Sequence, residues 1–246
     1  MGSLIGIFNL ILYQPLFNVL IWLYQYLPVH DLGLVVLILT VLIRFLLYPV
    51  MVQSIRAQKQ MQEIQPRLQE IQEKYKHDKE KKARVMMEFY QKEKVNPFSG
   101  CFSTLVQFPI LIALFFVFKT FQGGLDSAEL GVLYSFVPSP GNITEPMFLG
   151  FINLANPSFG LAIFAGAAQF VQTKMLMPKV RKSQSKDQMA QFSNILQKQM
   201  LYFFPILMVL FLTRLPAAIG LYWVTTTLFS IGQQYLIYRH GTVKPK

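Results

Sequence analysis

The stretch that decides the fold runs from Leu32 to Val52, LGLVVLILTVLIRFLLYPVMV, an apolar run with one charge, Arg44. A helix of this length rises about 31 Å, close to the hydrocarbon thickness of a bilayer, so the run predicts a membrane span with Arg44 near mid-depth. An arginine there costs about 2.5 to 3.5 kcal/mol, and the run holds no acid to pair with it. Such a residue usually faces a water-filled cavity or functional path. The alternative is an arginine that snorkels or pairs with another helix.

The composition is that of a membrane protein. Hydrophobic residues make up 53% of the 246 positions and charged residues only 14%, against roughly 25% charged in soluble domains. The net charge of +11 does not indicate nucleic-acid binding, because the basic residues fall between the apolar runs rather than among aromatics on one face. The single cysteine excludes a disulfide framework, and the three histidines lie outside the apolar runs. The sequence therefore predicts no metal and no cofactor.

Five apolar runs predict an all-α bundle of five transmembrane helices. Between them, segment 53–96 holds eleven lysines and arginines and segment 178–199 holds five, whereas 1–31 and 120–157 hold none. By the positive-inside rule, the N-terminus is predicted outside and the C-terminus in the cytoplasm. The predicted segments are an outer interfacial helix 1–31, span 32–52, a cytoplasmic helical hairpin 53–96, span 101–119, an outer loop 120–157, span 159–177, a cytoplasmic loop 178–199, spans 200–215 and 217–238, and a cytoplasmic tail 239–246.

Residues 1–31 are predicted to form an amphipathic helix in the outer interface. Gln14, Asn18 and Gln25 recur at helical spacing and give the helix one polar face. Pro15 and the absence of a basic flank argue against an intact signal peptide. A sixth span is the alternative, and it would place the N-terminus in the cytoplasm without a flanking positive charge.

The segment 53–96 predicts a helical hairpin on the cytoplasmic side. Apolar residues from Ile64 to Tyr75 recur at heptad-like steps, and Pro66 predicts a bend or a restart of the first arm. A solvated connector is the simpler interpretation of such a segment. Its length favours a role in binding partners, because compact connections rarely exceed about 15 residues without a purpose.

Polar residues inside the spans converge on the cytoplasmic half of the membrane. Thr40 and Arg44 lie four apart, and therefore on one face of the first span. Singly, each such residue has a structural explanation, because Ser and Thr bond to their own helix and Gln joins helices. Together they predict a cavity that is open to cytosol and lipid, closed toward the outside and able to solvate the arginine. The other members are Thr104 and Gln107 on the second span, Gln169, Gln172 and Thr173 on the third, and Trp223, Thr226, Thr227, Ser230 and Gln234 on the fifth.

Four motifs resemble those of the YidC membrane-protein insertases. They are EKVNPFSGC at 93–101, QFP at 107–109, LPAAIGLYW at 215–223 and QQYLIYR at 233–239. The resemblance extends over nearly the whole chain. It is closest in form to the minimal five-span bacterial members, which are relatives of the mitochondrial Oxa and chloroplast Albino insertases.

The resemblance implies an insertase and chaperone rather than an enzyme. Such a protein takes nascent membrane proteins into a hydrophilic groove and releases them into the bacterial plasma (inner) membrane, alone or with the Sec translocon. It also implies that the hairpin and cytoplasmic loops contact the translocon and the ribosome or signal recognition particle, with no direct recognition of nucleic acid.

The resemblance also assigns residues to the groove. Arg44 matches the groove arginine of the family, Thr40 and Trp223 match groove positions important for activity, and Gln107 and Gln172 match polar lining positions. Helical spacing adds Gln169, Thr226 and Ser230 to this predicted substrate groove.

Two other function classes also use polar residues inside a membrane. An intramembrane enzyme would need a nucleophile with a base or a set of ligands, and the five runs contain no Asp, Glu or His. A secondary transporter or channel that uses the intramembrane arginine is the alternative function. Against it stand the lack of a detectable inverted repeat and polar faces confined to one leaflet.

Overall fold

The chain folds into a bundle of helices, which the computed structural model describes for residues 2–96, 99–123, 130–140, 146–177 and 188–239. Two strands of two residues each, β1 (Met147–Phe148) and β2 (Ile152–Asn153), pair antiparallel. The helices are α1 (Gly2–Phe8), a π-helical turn (Asn9–Tyr13), α2 (Gln14–Tyr26), α3 (Leu32–Leu46), α4 (Tyr48–Lys74), α5 (Lys79–Lys92), α6 (Ser99–Gly123), α7 (Phe159–Leu176), α8 (Gln188–Leu212) and α9 (Ala217–Arg239).

Parts of four predicted segments lie outside the described residues. These are Met1 of the interfacial helix, residues 124–129 and 141–145 of the outer loop, 178–187 of the cytoplasmic loop, and the tail after Arg239. From Gln188 onward the predicted cytoplasmic loop is helical, because α8 begins there and runs directly into the fourth apolar run.

The first apolar run is broken rather than straight. α3 ends at Leu46, α4 begins at Tyr48, and the two helices are bent by 68°. Pro49 explains the break, since its fixed φ and missing N–H suit the first turn of a new helix but not the interior of one. Arg44 therefore lies in the last turn of α3, beside a bend, and not at the middle of one helix.

The predicted hairpin is formed by α4 and α5. α4 passes through Pro66 without the predicted restart. The side chain of Asp78 accepts a hydrogen bond from the backbone N–H of Lys81 and so caps the start of α5. Ile64 and Leu68 are buried in a small cluster that packs the two arms together, separate from the main core. We call the end of the bundle from which this hairpin extends the hairpin end.

The opposite end of the bundle is covered by the segments 130–140 and 146–153, which we call the capping segments; we call this end the cap end. Asp31 joins them to α3. Its Oδ1 accepts a hydrogen bond from the N–H of Leu34 at 2.8 Å and caps α3, and its Oδ2 accepts one from the N–H of Leu149. One carboxylate thus begins a helix and fixes the β1–β2 turn.

The N-terminal helix packs into the bundle. Phe17, Leu20 and Ile21 are fully buried, in the same cluster as core residues of α3, α6 and α9. Among the described residues, Ile5–Tyr26 is the one helix long and apolar enough to cross a membrane by itself, and α3 with α4 passes that test as a bent pair. Shorter apolar helices occur at Leu105–Phe121 and Gln199–Leu212.

The polar face of α2 faces protein. Asn18 donates to the carbonyl of Val132 at 3.1 Å and accepts from the N–H of Tyr134 at 2.7 Å. Gln14 and Gln25 also donate to carbonyls of the capping segments. These side chains satisfy backbone groups of a segment more than a hundred residues away, so the polar face that the sequence predicted packs against protein.

Small residues allow close packing at the centre of the bundle. α7 packs against both α8 and α9, and its Ala162, Ala165 and Gly166 are buried. A Cβ atom at Gly166 would overlap the side chain of Val209 on α8. Close approach through small residues is how apolar helices gain contact where the surroundings are equally apolar.

Candidate functional site

A cavity of about 700 Å³ lies at the hairpin end of the bundle. It forms where α3 ends, α4 and α6 begin and α7 ends, and α9 supplies one wall along its length. The polar lining residues are Arg44, Ser54, Gln58, Gln107, Gln169, Gln172, Thr173, Tyr222, Trp223, Thr226, Thr227, Ser230, Gln233 and Gln234. A volume of this size is typical of ligand sites, but the density of amides and hydroxyls in it is not typical of a protein interior.

Arg44 is buried in the wall of this cavity, with 6% of its surface exposed. Within the described part of the chain it forms no ion pair and no hydrogen bond; the ion pairs found there belong to the hairpin. The bend after α3 brings the start of α4 beside it, and that turn contributes Met51 and Ser54 rather than a carboxylate. A buried charge without a partner is strongly destabilising, so the site is suited to an anionic or strongly polar occupant.

Amides join α7 and α9 along another wall. The indole N–H of Trp223 donates to Oε1 of Gln169 at 3.2 Å. The Nε2 of Gln169 in turn donates to Oε1 of Gln172 at 3.2 Å and to Oγ1 of Thr173 at 3.3 Å. The chain of bonds fixes Trp223 against α7 and leaves polar atoms of α7 along the cavity wall.

A second link joins α6 to α9. Gln107 donates its Nε2 to the hydroxyl of Tyr222, whose ring is almost fully buried in the core. Phe108 and Leu111 line the cavity on the same helix. The cavity therefore has a polar side toward α9 and an apolar side toward α6 and α8.

The last turns of α9 carry two buried carboxamides with unpaired atoms. Both Nε2 and Oε1 of Gln233, and Oε1 of Gln234, have no hydrogen-bond partner among the residues that the structure describes. Each unpaired buried polar group costs about 1 to 3 kcal/mol. Ser230, one turn earlier, instead donates to the carbonyl of Thr226 at 2.9 Å.

The structure brings seven of the eight residues assigned to the groove to this one cavity. They are Arg44, Gln107, Gln169, Gln172, Trp223, Thr226 and Ser230. Thr40 is the exception. It is buried away from the cavity, and its hydroxyl donates to the carbonyl of Val36 at 2.6 Å, the local bond that threonine often makes in a helix.

Sequence reasoning missed Ser54 and Gln58, which line the cavity from α4. It placed both in the hairpin, because Pro49 alone does not show that the chain turns by 68° and begins a new helix there. It also missed Gln233, whose neighbour Gln234 was seen on the polar stripe of the fifth span. Within the described residues, no group of three His, Cys, Asp or Glu side chains could hold a metal ion.

The exterior of the bundle carries many large apolar side chains. Leu46, Leu105 and Leu210 are examples of the large apolar side chains that lie exposed on α3, α6 and α8. Exposed apolar surface of this extent marks contact with a membrane or a partner. Together with a buried cation in a polar cavity, it defines a helical membrane protein with an internal hydrophilic site.

Comparison with known proteins agrees with this class and also identifies the family. The chain belongs to the 60Kd inner membrane protein family, the family of YidC and Oxa1, whose model matches residues 22–244. The match extends from α2 through α9 and includes every cavity residue named above.

Curated relatives in several bacteria carry one functional description. The membrane protein insertase YidC of Fusobacterium nucleatum subsp. nucleatum is 32% identical over 213 residues, or 87% of this chain and 89% of that protein. The membrane protein insertase MisCA of Bacillus subtilis (strain 168) is 35% identical over 210 residues, 83% and 69% of the two chains. The YidC of Clostridium tetani is 32% identical over 209 residues, 85% and 82%. These names give no support to a transporter or channel.

Proposed function

We propose that this chain is a membrane protein insertase. It takes the polar segment of a client, meaning a membrane protein that is being inserted, into the cavity and releases the client's apolar helix into the bilayer. The observation that carries the proposal is the buried, unpaired Arg44 in the wall of a polar cavity. The names of the relatives, which match over most of this chain, support it.

The cavity lowers the main barrier to insertion, which is the transfer of polar groups through hydrocarbon. A segment in the cavity meets amides and hydroxyls instead of lipid tails, so its backbone groups do not stay unpaired. Arg44 attracts acidic residues of the segment, and a charge pair there is stronger than in water. We infer that this attraction, with no nucleotide or covalent step, selects and holds the segment.

The apolar side of the cavity gives the client's own helix a path to lipid. Phe108, Leu111, Met200 and Phe204 line this side. Aromatic and methionine side chains adapt to varied apolar partners, which suits a protein with many clients. Leu46 and Phe45, exposed beside Arg44 on α3, continue the apolar surface outward.

We further propose a topology of five spans, with the hairpin end in the cytoplasm. The basic residues of the hairpin and of 178–199 support this orientation. In this arrangement the cap end is outside, and α1 and α2 lie at the outer interface with exposed Trp22 and Tyr26 at its edge. Single cysteines introduced at the hairpin turn or in 130–140 test this orientation. An impermeant reagent added outside should label the cysteine in 130–140 and not the one at the hairpin turn. Labelling of the hairpin turn alone would contradict the orientation.

The hairpin and cytoplasmic loops are proposed to receive the client and its delivery machinery. Lysines and arginines give the hairpin a basic surface, which suits acidic protein surfaces of the ribosome, the signal recognition particle or the translocon. A pull-down experiment tests this part separately. It compares the ribosomes or translocon recovered by the full chain with those recovered by a variant in which the basic residues of the hairpin turn are neutralised.

The experiment that tests the function uses the purified chain in lipid vesicles. We expect a small single-span client to acquire a protease-protected tail only in vesicles that contain the protein, without flux of small solutes. Flux of a solute without insertion of the client would contradict the proposal and favour a channel.

A further inference from the structure

The turn between β1 and β2, at the cap end, exposes two large apolar side chains. The chain reverses direction through Leu149, Gly150 and Phe151, and the N–H of Phe151 donates to the carbonyl of Phe148 at 3.0 Å. Leu149 is 54% exposed and Phe151 is 87% exposed. Both side chains lie outside the core cluster and outside the cavity lining. Neither packing nor the proposed mechanism accounts for them.

The backbone of the turn makes the leucine more unusual. Leu149 has a φ of +50° and Gly150 has a φ of +72°. Turns with positive φ at two successive residues strongly favour Asn, Asp or Gly, because a larger side chain is crowded by its own backbone there. Leu149 is therefore unfavourable for the backbone, and in water its exposed side chain would be unfavourable too. A strained residue of this kind points to a role beyond folding.

The base of the turn is fixed to the start of α3. The N–H of Leu149 donates to Oδ2 of Asp31, the residue that caps α3. The ring of Phe148 occupies the space that a Cβ atom at Gly33 would need. The exposed side chains thus project from a base that is anchored to the bundle.

We propose that the β1–β2 turn inserts Leu149 and Phe151 into the lipid leaflet at the cap end, at the depth where the headgroups meet the acyl chains. The inference goes beyond the proposed function, because it assigns a lipid-binding role to an element that has no part in the proposed mechanism. It holds whichever side of the membrane the cap end faces.

The composition of the hairpin fits lipid better than water. Residues 146–153 contain no Asp, Glu, Lys or Arg, and Asn153 is their one strongly polar side chain. The chain then leads from β2 into α7, whose first turns expose Phe159, Ile163 and Phe164. The turn therefore adjoins the apolar surface that the bundle presents to the membrane.

The size of the exposed surface argues against a protein partner. A leucine and a phenylalanine together offer roughly 400 Å² at most, whereas a stable protein interface buries about 800 Å² on each partner. Lipid sets no such minimum, because each apolar side chain that leaves water gains free energy by itself. The turn is large enough to enter lipid and too small to hold a protein partner alone.

The test measures the depth of a fluorescent label on the turn. In the full chain, Cys101, the single cysteine, is replaced by serine, and Phe151→Cys is labelled with a small fluorophore. The vesicles contain phosphatidylethanolamine and phosphatidylglycerol. The quenchers are phosphatidylglycerol brominated on its acyl chains, or iodide present on both sides of the membrane.

Two further single-cysteine variants are the controls. Ser139→Cys places the label on an exposed residue of the capping segments, and Ile163→Cys places it on the apolar face of α7. Because burial favours the lipid for apolar side chains, we expect brominated lipid to quench the label at 151 about threefold more than the label at 139. Iodide should show the reverse order, and the label at 163 should behave as the label at 151 does.

Leu149→Gly tests the strained position. Glycine adopts positive φ readily, so thermal unfolding in detergent should not move to lower temperature. The label at 151 should nevertheless lose about half of its quenching by brominated lipid, because an inserted apolar side chain has been removed.

Three results would overturn the inference. Equal access of iodide to the labels at 151 and 139 would mean that the turn lies in water. Protection of the label at 151 from both quenchers would mean that protein covers it, and dilution of the chain in lipid would separate a second copy from contacts within one chain. A lower unfolding temperature of Leu149→Gly would mean that Leu149 serves the fold. None of these results depends on whether the chain inserts clients.

Discussion

The cap end and the hairpin end of the bundle treat buried polar groups in opposite ways. At the cap end, Asn18 binds two backbone groups of the capping segments, and Asp31 binds one there and caps α3 with the other oxygen. At the hairpin end, Arg44 is buried but forms no ion pair or hydrogen bond with a described residue, and both amide atoms of Gln233 are buried without a partner there. Buried polar groups are normally paired because leaving them unpaired is costly. The first set stabilises the fold, whereas the second adds no hydrogen bond to it, and this difference supports the proposal that the hairpin end receives a client.

The largest effect on stability should follow from removing a buried hydrogen-bonding side chain at the cap end. Asn18→Leu keeps the volume but leaves the N–H of Tyr134 without its partner, while the carbonyl of Val132 keeps only the hydrogen bond from Gln14. We expect the free energy of unfolding to fall by about 2 to 3 kcal/mol, the cost of one buried unpaired group together with one lost hydrogen bond. Thermal unfolding in detergent measures it, with Gln25→Leu, which removes a surface hydrogen bond, as the control.

Insertion per folded molecule should be unchanged by Asn18→Leu. If the variant were as stable as the wild type but inserted clients poorly, the division between the two ends would be wrong.

The next effect concerns Arg44 and should appear in activity, not in stability. Arg44→Ala should lower insertion of clients with acidic tails by about thirtyfold, since hydrogen bonds to a charged group contribute about 2 kcal/mol. Arg44→Lys should retain most of the activity because it keeps the charge. Thermal unfolding of Arg44→Ala should not move to lower temperature, because the charge has no partner in the described fold.

A client with an uncharged tail shows whether Arg44 acts on the charge of the client. With the acidic residues of the tail neutralised, wild type and Arg44→Ala should insert it equally well. The same thirtyfold loss with the neutral tail would show that Arg44 acts through the fold and not on the charge of the client.

The smallest effect should come from the contact between hairpin and bundle. Gln62 on α4 donates to the carbonyl of Leu176 and to the hydroxyl of Tyr238, so it ties the base of the hairpin to the ends of α7 and α9. Gln62→Leu should weaken this tie by about 1 kcal/mol, or roughly fivefold in local opening.

Hydrogen exchange measures this change. Exchange of backbone amides in the first half of α4 should accelerate in Gln62→Leu while the core of α9 is unaffected. Gln65→Leu, the same change three residues further along α4, is the matched control. Equal acceleration in both variants would show that Gln62 is not a tie.

Much of the cavity was predictable from sequence because helical spacing decides which residues share a face. Spacing placed Gln169 and Gln172 on one face of α7, and Trp223 and Thr226 on one face of α9, where the structure has them. It could not decide which polar residue faces inward, since Thr40 follows the same spacing before Arg44 yet bonds to its own helix. That choice depends on rotamers and on neighbouring helices.

Two features of the fold were not predictable in this way. The polar face of α2 looked like a surface for the membrane interface, because its partners are backbone groups of a distant segment with no side-chain signal of their own. The bend after Leu46 is marked only by Pro49, and a proline in an apolar run is equally compatible with a kink or with the start of a new helix. Both features depend on contacts between segments that are distant in the sequence, and helical spacing does not report such contacts.

The most direct test of the central claim is site-specific photocrosslinking to a stalled client. A photoreactive residue at Gln172 or Thr226, both in the cavity wall, should crosslink to the polar tail of the client. The same probe at Gln25, at the cap end, should give little product. Crosslinking at Gln25 equal to that at Gln172 and Thr226, or none from the cavity positions, would contradict the claim that the client enters the cavity.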